Sequence, residues 1–302
     1  MTHIDEMFLK ILSAERYKRI YALIRDISFD YAIIKGEALS VQAYGATGRR
    51  ISSDIDILIP VTRLKEFHSL LSSHGFQGRE LSRADKVLLV SGSHQVLPYT
   101  LNMPKPWPEL LLDVNHDIFW GEYEGKRIDI ADFLSDTIEI DIYGVTVKTL
   151  PPIKAFIQLV LHHYKDMNSI YLLAMNNSIN TDMLADAYYL LKNNLNDISL
   201  EKLLPICKEF EIENYVYYIL YYIGQVFRDG DIQRYIDAFK TIEGDELLNC
   251  YGLNKKERKK WRCDFETRIG SENILKIIEE DLTGRDWEKI EINRKLFGGP
   301  FK

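Results

Sequence analysis

The 302-residue chain is 46% hydrophobic with a formal net charge of −7, enough apolar material for a substantial core and for about two domains of roughly 150 residues. That acidic balance excludes a wholesale nucleic-acid binder, so any polyanionic ligand must meet a local basic site. Cys207, Cys250 and Cys263 lie far apart without metal-ligand spacing and are expected to stay reduced. The opening residues show no signal-peptide pattern, and no apolar run approaches the roughly 18 residues of a membrane span, so a cytoplasmic protein with no membrane partner is expected.

Taken in chain order, residues 5–27 space Phe8, Ile11, Leu12, Ile20, Leu23 and Ile24 as a helix does. "YAIIKG" reads as a short buried strand stopped by Gly36, and "EALSVQAYGA" as a helix directly after it. "DIDILIP" is β-branched and closed by proline, a strand; "RLKEFHSLLSSHGF" is an amphipathic helix ending near Gly75. "KVLLV", "HQVLPYTL" and "ELLLDVNHDIF" are predicted strands, the last two separated by the loop "NMPKPWP". "TIEIDIYGVTVKTL" predicts a hairpin turning at Tyr143-Gly144. From the two prolines at 151–152 to about residue 240 the pattern is nearly all helix, and the tail is mixed and charged. The expected fold class is α+β, with a mixed-sheet domain over residues 1–150 and a mainly helical domain over 151–302.

The chemistry concentrates in "IIKGEALSVQAYGATGRRISSDIDILIP". Side chains alternate along a strand, so Asp54 and Asp56 share one face with Cα atoms about 6.6 Å apart, while Ile55, Ile57 and Ile59 take the core face. Two carboxylates this close repel, and a cation should offset the cost; a divalent metal is the natural candidate. An isolated Asp-x-Asp is also what a solvated strand end shows. Glu139 and Asp141 in "IEIDIYG" have the same spacing, yet they run into a hairpin turn without a preceding glycine loop. Upstream of Asp54, Gly36 ends a strand and opens a helix, where backbone N–H groups and the helix dipole receive phosphate. Lys35 adds a point charge there. Arg50 fits either a phosphate contact or a salt bridge to Asp54.

These residues resemble the signature of the polymerase-beta-like nucleotidyltransferase superfamily. The likeness is strongest to an uncharacterised bacterial family with Lys-Gly-x-Ala-Leu, a tyrosine, an arginine and then Asp-x-Asp. Here those positions are Lys35, Gly36, Ala38, Leu39, Tyr44, Arg50, Asp54 and Asp56. The superfamily's more usual Gly-Ser is Gly36-Glu37 in this chain. The resemblance implies a polymerase-beta-like core followed by a helical domain. It also implies Mg²⁺ (or Mn²⁺) on Asp54 and Asp56, and an NTP held by Lys35, Gly36 and Arg50. A third carboxylate on a later strand would join the metal site and deprotonate the acceptor. Asp113 in "ELLLDVNHDIF" fits it best; Asp117 is read as structural, and His116 receives no catalytic part.

In the helical half, His162 and His163 are adjacent on a predicted helix, about 100° apart, so they do not both face one ligand well. Similar proteins carry histidines in this helix and an aspartate in the next. The resemblance therefore suggests that His162 or His163, with Asp186, lines the substrate cleft. "YVYYILYY" reads as a buried helix, with a base-stacking platform or dimer surface as alternatives. "NKKERKKWR", Asn254 to Arg262, reads as a solvated helix face, with RNA contact as the sharper alternative. The expected activity is transfer of a nucleoside monophosphate, AMP by preference, from an NTP to a hydroxyl or phosphate of a small molecule, releasing pyrophosphate. The alternatives are a toxin-like enzyme acting on RNA or protein, and a non-catalytic nucleotide-binding module.

Overall fold

The computed structural model describes residues 3–50, 52–176 and 181–297. Contacts group the chain into two compact units. One comprises Met1–Gly121, Ile128–Phe156 and Tyr189–Asp197; the other comprises Glu122–Arg127, Ile157–Tyr188 and Ile198–Lys302. The fold is α+β, a mixed sheet followed in sequence by a run of helices.

The first unit is built on strands β1 (Ala32–Ile34), β2 (Asp54–Leu58), β3 (Gln77–Gly78), β4 (Tyr99–Leu101), β5 (Leu110–Asn115), β6 (Ile138–Ile142) and β7 (Val145–Thr149). They lie in the order β3-β4-β5-β2-β1-β7-β6. The β2–β5 and β1–β7 pairs are parallel and the others antiparallel. Helices α1 (His3–Arg25), α2 (Gly36–Tyr44), α3 (Leu64–Ser73), α4 (Arg83–Gly92) and α5 (Ile130–Phe133) complete its named helices ahead of the long helical run. The period-two pattern of the strands sorts their side chains. Ile55, Ile57 and Ile59 of β2 and its extension, with Leu110, Leu112 and Val114 of β5, join Tyr17, Ile20, Leu23 and Ile24 of α1 and Phe67 and Leu71 of α3 in one buried cluster. Burying each such aliphatic side chain stabilises by about 1.5–3 kcal/mol. The opposite faces of β2 and β5 are left to Asp54, Asp56, Asp113 and Asn115.

One predicted strand is a helix. "KVLLV" lies within α4, whose N-cap Ser82 accepts a hydrogen bond from the Asp85 N–H at 3.1 Å. A five-residue apolar run does not by itself distinguish strand from buried helix. Here the Ser82-x-x-Asp85 cap decides, with Leu89 buried and Val87 exposed.

The second unit draws on α6 (Pro152–Asn168), α7 (Ile170–Ala174), α8 (Thr181–Asn193), α9 (Leu200–Glu209), α10 (Glu213–Phe227), α11 (Gly230–Phe239) and α12 (Ile242–Leu248). The hairpin of β8 (Cys250–Tyr251) and β9 (Lys259–Lys260) follows, then α13 (Phe265–Gly270), α14 (Leu275–Ile278) and α15 (Gly284–Phe297). The tyrosine-rich segment is the buried helix α10. Tyr217 bonds Asp245 at 2.6 Å, Tyr218 bonds Asn168 at 3.2 Å, and Tyr222 bonds the Leu248 carbonyl at 3.1 Å, so these three hydroxyls are satisfied inside the unit. No described helix is long and apolar enough to cross a membrane.

The basic run Asn254–Arg262 is not a helix face. It turns through Asn254, whose carbonyl accepts the Glu257 and Arg258 N–H groups, and continues into β9. Much of its charge is spent within the unit. Lys259 meets Asp286 at 2.8 Å, Arg258 meets Glu243 at 3.8 Å, and Arg262 meets both Glu280 and Asp281. Lys256 and Lys259 also line a cavity of about 240 Å³ walled by polar and charged residues.

Candidate active site

The site begins at the junction of β1 and α2. Lys35 has φ 56° and ψ −153°, and Gly36 has φ +43°. A positive φ is unfavourable for lysine, and such strain concentrates at functional positions. The pair reverses the chain sharply, so α2 starts at once with its first amides at the end of β1. A side chain at Gly36 would suffer from the backbone conformation more than from crowding, since the nearest atom to an added Cβ is Ser52 Cβ at 3.4 Å.

Strand register supplies the carboxylates. Asp56 of β2 stands directly opposite Asp113 of the parallel neighbour β5, and Leu58 stands opposite Asn115. Paired residues of neighbouring strands share a face, so Asp56 and Asp113 project together, and Asp54 joins them two residues along. Asp56 is buried, 5% exposed, whereas Asp54 and Asp113 are half-buried. On the exposed edge strand β6, by contrast, Asp141 accepts the Gly144 N–H at 3.0 Å and serves the hairpin turn. Asp117 lies beyond the end of β5 and accepts the Phe119 N–H at 3.0 Å.

The cation that the buried carboxylate requires is within the chain. Lys35 Nζ lies 2.6 Å from Asp56 Oδ1, with the two side chains 11% and 5% exposed. The Asn115 side-chain amide donates to the same oxygen at 3.2 Å. Burial pushes the Asp56 carboxyl above its usual range; the Lys35 charge opposes that shift and the Asp54 charge adds to it. Asp54 is served differently. It accepts a short hydrogen bond from the Ser52 hydroxyl, and the Ser52 carbonyl accepts from the Arg16 guanidinium at 3.2 Å. Burial lowers the pKa of Arg16, and the charge of Asp54 opposes this.

A buried scaffold shapes the loop after α2. Glu37, 2% exposed, accepts the Gly48 N–H at 2.7 Å and the Tyr143 hydroxyl at 2.8 Å. Its carboxylate thus has a structural role where the superfamily more often places a serine. The Ser40 hydroxyl accepts the Arg49 and Arg50 N–H groups at 2.9 and 3.1 Å and donates to the Ala46 carbonyl at 2.8 Å. Arg50 is therefore anchored through its backbone on the approach to β2.

Sequence pattern alone does not single out Arg16, Glu37, Ser40 and Ser52 for the site. Arg16 did leave a trace, because it falls on the Leu12–Ile20 stripe of α1, where a charge is out of place. The other expected residues lie in the second unit. His162 contacts Asp166 at 3.2 Å and Lys165 at 3.4 Å, His163 is buried next to it, and Asp186 is buried on α8.

The three carboxylates are hard oxygen donors, the type that suits Mg²⁺ or Mn²⁺, and the Lys35 ammonium already stands as a positive charge on Asp56. Among the described residues, no group of three or more His, Cys, Asp or Glu side chains is gathered as a metal site. The donors fit such an ion in kind, without forming a closed cage.

Comparison with known proteins gives the family of the chain. The profile of the family described as "Uncharacterised nucleotidyltransferase" matches residues 10–228. The crystal structure of an antigenic nucleotidyltransferase-like protein from Paracoccidioides brasiliensis is similar at a TM-score of 0.39 and 16% identity, over 76% of this chain and 92% of that one. No curated protein matches. The chain belongs to the uncharacterised nucleotidyltransferase family, within the polymerase-beta-like nucleotidyltransferase superfamily.

Proposed function

We propose that the protein transfers a nucleoside monophosphate, AMP by preference, from an NTP to a hydroxyl or phosphate oxygen of a small-molecule acceptor. The observation that carries this reading is the parallel register of Asp56 with Asp113, beside the Lys35-Gly36 turn that opens α2. In the reaction the acceptor oxygen attacks the α-phosphorus, the bond from that phosphorus to the α,β-bridging oxygen breaks, and pyrophosphate leaves. Asp113, half-buried and facing the same side as Asp56, takes the acceptor's proton. Gly36 offers its amide at the start of α2, and Lys35 its ammonium, to the triphosphate tail. Arg50, on the loop braced by Ser40, adds a second cation for the phosphates. Asp54, Asp56 and Asp113 would hold Mg²⁺ or Mn²⁺, which when bound neutralises charge on the phosphates and on the attacking and leaving oxygens. As in phosphoryl transfer generally, most of the catalysis is positioning and charge neutralisation.

What supports a small acceptor over RNA is the basic run, since Arg258, Lys259 and Arg262 are engaged in internal ion pairs. Lys255, Lys256 and Lys260 are its exposed lysines. Their joint replacement by glutamate should change activity less than twofold for a small acceptor and abolish it for RNA. Lys259 is excluded from that test because its partner Asp286 is buried. The direct assay incubates the protein with each α-labelled NTP, Mg²⁺ and a metabolite or RNA fraction. Label entering the metabolite fraction supports the proposal, and label entering only RNA contradicts it.

A further inference from the structure

The lysine proposed to meet phosphate and the aspartate proposed to meet metal are in contact with each other. Lys35 Nζ is 2.6 Å from Asp56 Oδ1, and the Asn115 amide occupies the same oxygen at 3.2 Å. With both side chains nearly enclosed, the ammonium is the counter-ion that lets a carboxylate remain charged in this strand. A divalent ion approaching Asp56 meets a positive charge already in place at that oxygen, and the two repel. The turn carrying Lys35 is strained at that residue, φ 56°, and continues through Gly36 at φ +43°, a conformation open to glycine. The same turn places the first amides of the nine-residue helix α2 immediately beyond the lysine. A triphosphate received at those amides attracts the Lys35 ammonium away from Asp56 and leaves the carboxylate in need of a new cation, which the nucleotide itself brings.

We propose that Lys35 makes this site selective for a divalent ion carried by the nucleotide: the ammonium closes Asp56 to free metal and moves to the triphosphate when the nucleotide–metal complex enters. The inference rests on the nucleotidyltransferase reading of the site and names the form in which the nucleotide is accepted. Metal and nucleotide then bind cooperatively, and each raises the other's affinity by the same factor. The coupling runs through one side chain with two alternative anionic partners, the kind of two-state element that such linkage requires.

The test is Mn²⁺ binding by the full chain, followed by electron paramagnetic resonance, with and without α,β-methylene-ATP as a non-reacting nucleotide. The native protein should bind free Mn²⁺ weakly, and about tenfold or more tightly with the analogue present after correction for Mn²⁺ held by the analogue in solution. Lys35→Met should gain a similar factor in affinity for free Mn²⁺ and lose most of the analogue's enhancement. Asp56→Asn should bind Mn²⁺ poorly under both conditions. Equal Mn²⁺ affinity of the native protein with and without the analogue overturns the proposal. So does a folded Lys35→Met protein whose affinity for free Mn²⁺ is unchanged. If that variant does not fold, the native pair of measurements decides. Enhanced binding that survives Asp56→Asn also counts against the proposal. Absence of any Mn²⁺ or analogue binding overturns the nucleotidyltransferase reading as well, so the two failures are distinguishable.

Discussion

Replacing Lys35 and Asp56 singly and together asks whether the buried ion pair is a coupled unit. In Lys35→Met the Asp56 carboxylate, 5% exposed, is left without its cation; in Asp56→Ala the Lys35 ammonium, 11% exposed, is left without its anion. Stranding one member of a buried pair costs about 3–5 kcal/mol, whereas removing both is often close to neutral. The Asn115 amide also loses its acceptor when Asp56 is replaced, which adds about 1 kcal/mol to that single variant and to the double. Lys35→Met should therefore fall by about 3–5 kcal/mol and Asp56→Ala by about 4–6 kcal/mol, while the double falls by only about 1 kcal/mol, an interaction energy of about 6 kcal/mol or more. Urea-unfolding free energies at pH 7 for the four proteins give the cycle directly. Additivity within about 0.5 kcal/mol would refute the reasoning and reduce the Lys35–Asp56 contact to coincidence.

Three further outcomes follow from the same geometry. Asp113→Asn should lower kcat by about 10²-fold or more while stability stays nearly unchanged, because the half-buried carboxylate is proposed as a proton acceptor; steady-state kinetics beside a thermal melt separates the two effects. Glu37→Ala strands the Gly48 N–H and the Tyr143 hydroxyl and should cost about 1–3 kcal/mol per stranded group, with Glu37→Gln milder because an acceptor remains; melting temperatures rank them. Burial pushes the Asp286 carboxyl up, but bonds from Lys259 and Thr283 outweigh that and hold it below the usual carboxylate range. Its contribution to stability is therefore complete above the unfolded value near pH 3.9 and is lost as pH falls through the lower folded value. The stability gap between the native protein and Asp286→Asn should stay constant from pH 7 to 5 and narrow below about pH 4. A gap that widens on acidification would reverse the assignment.

The sequence revealed most about this region where its signals were local. Alternation in "DIDILI" separates the aspartates from the isoleucines, and the glycine after "AIIK" places the start of α2, because both depend on neighbouring residues alone. The helix α4 was legible too, in the Ser82-x-x-Asp85 cap, but its apolar run carries a stronger strand signal. What sequence spacing does not show is which distant residues meet. The basic run pairs with β8 and with acids from α12 to α15, partners set by the fold rather than by spacing. The Lys35–Asp56 contact is of the same kind. Each residue has a separate role by pattern, one for phosphate and one for metal, and only the pairing of β1 with β2, Ile34 opposite Asp56, brings them together.

The most direct test of the account is transfer of label from an α-labelled NTP to a metabolite acceptor by the native protein and by Asp56→Asn, with folding of the variant checked by circular dichroism. The native protein should give Mg²⁺- or Mn²⁺-dependent labelling with stoichiometric pyrophosphate release, and the variant should lose at least about 10²-fold. Full turnover by a folded Asp56→Asn protein would contradict it.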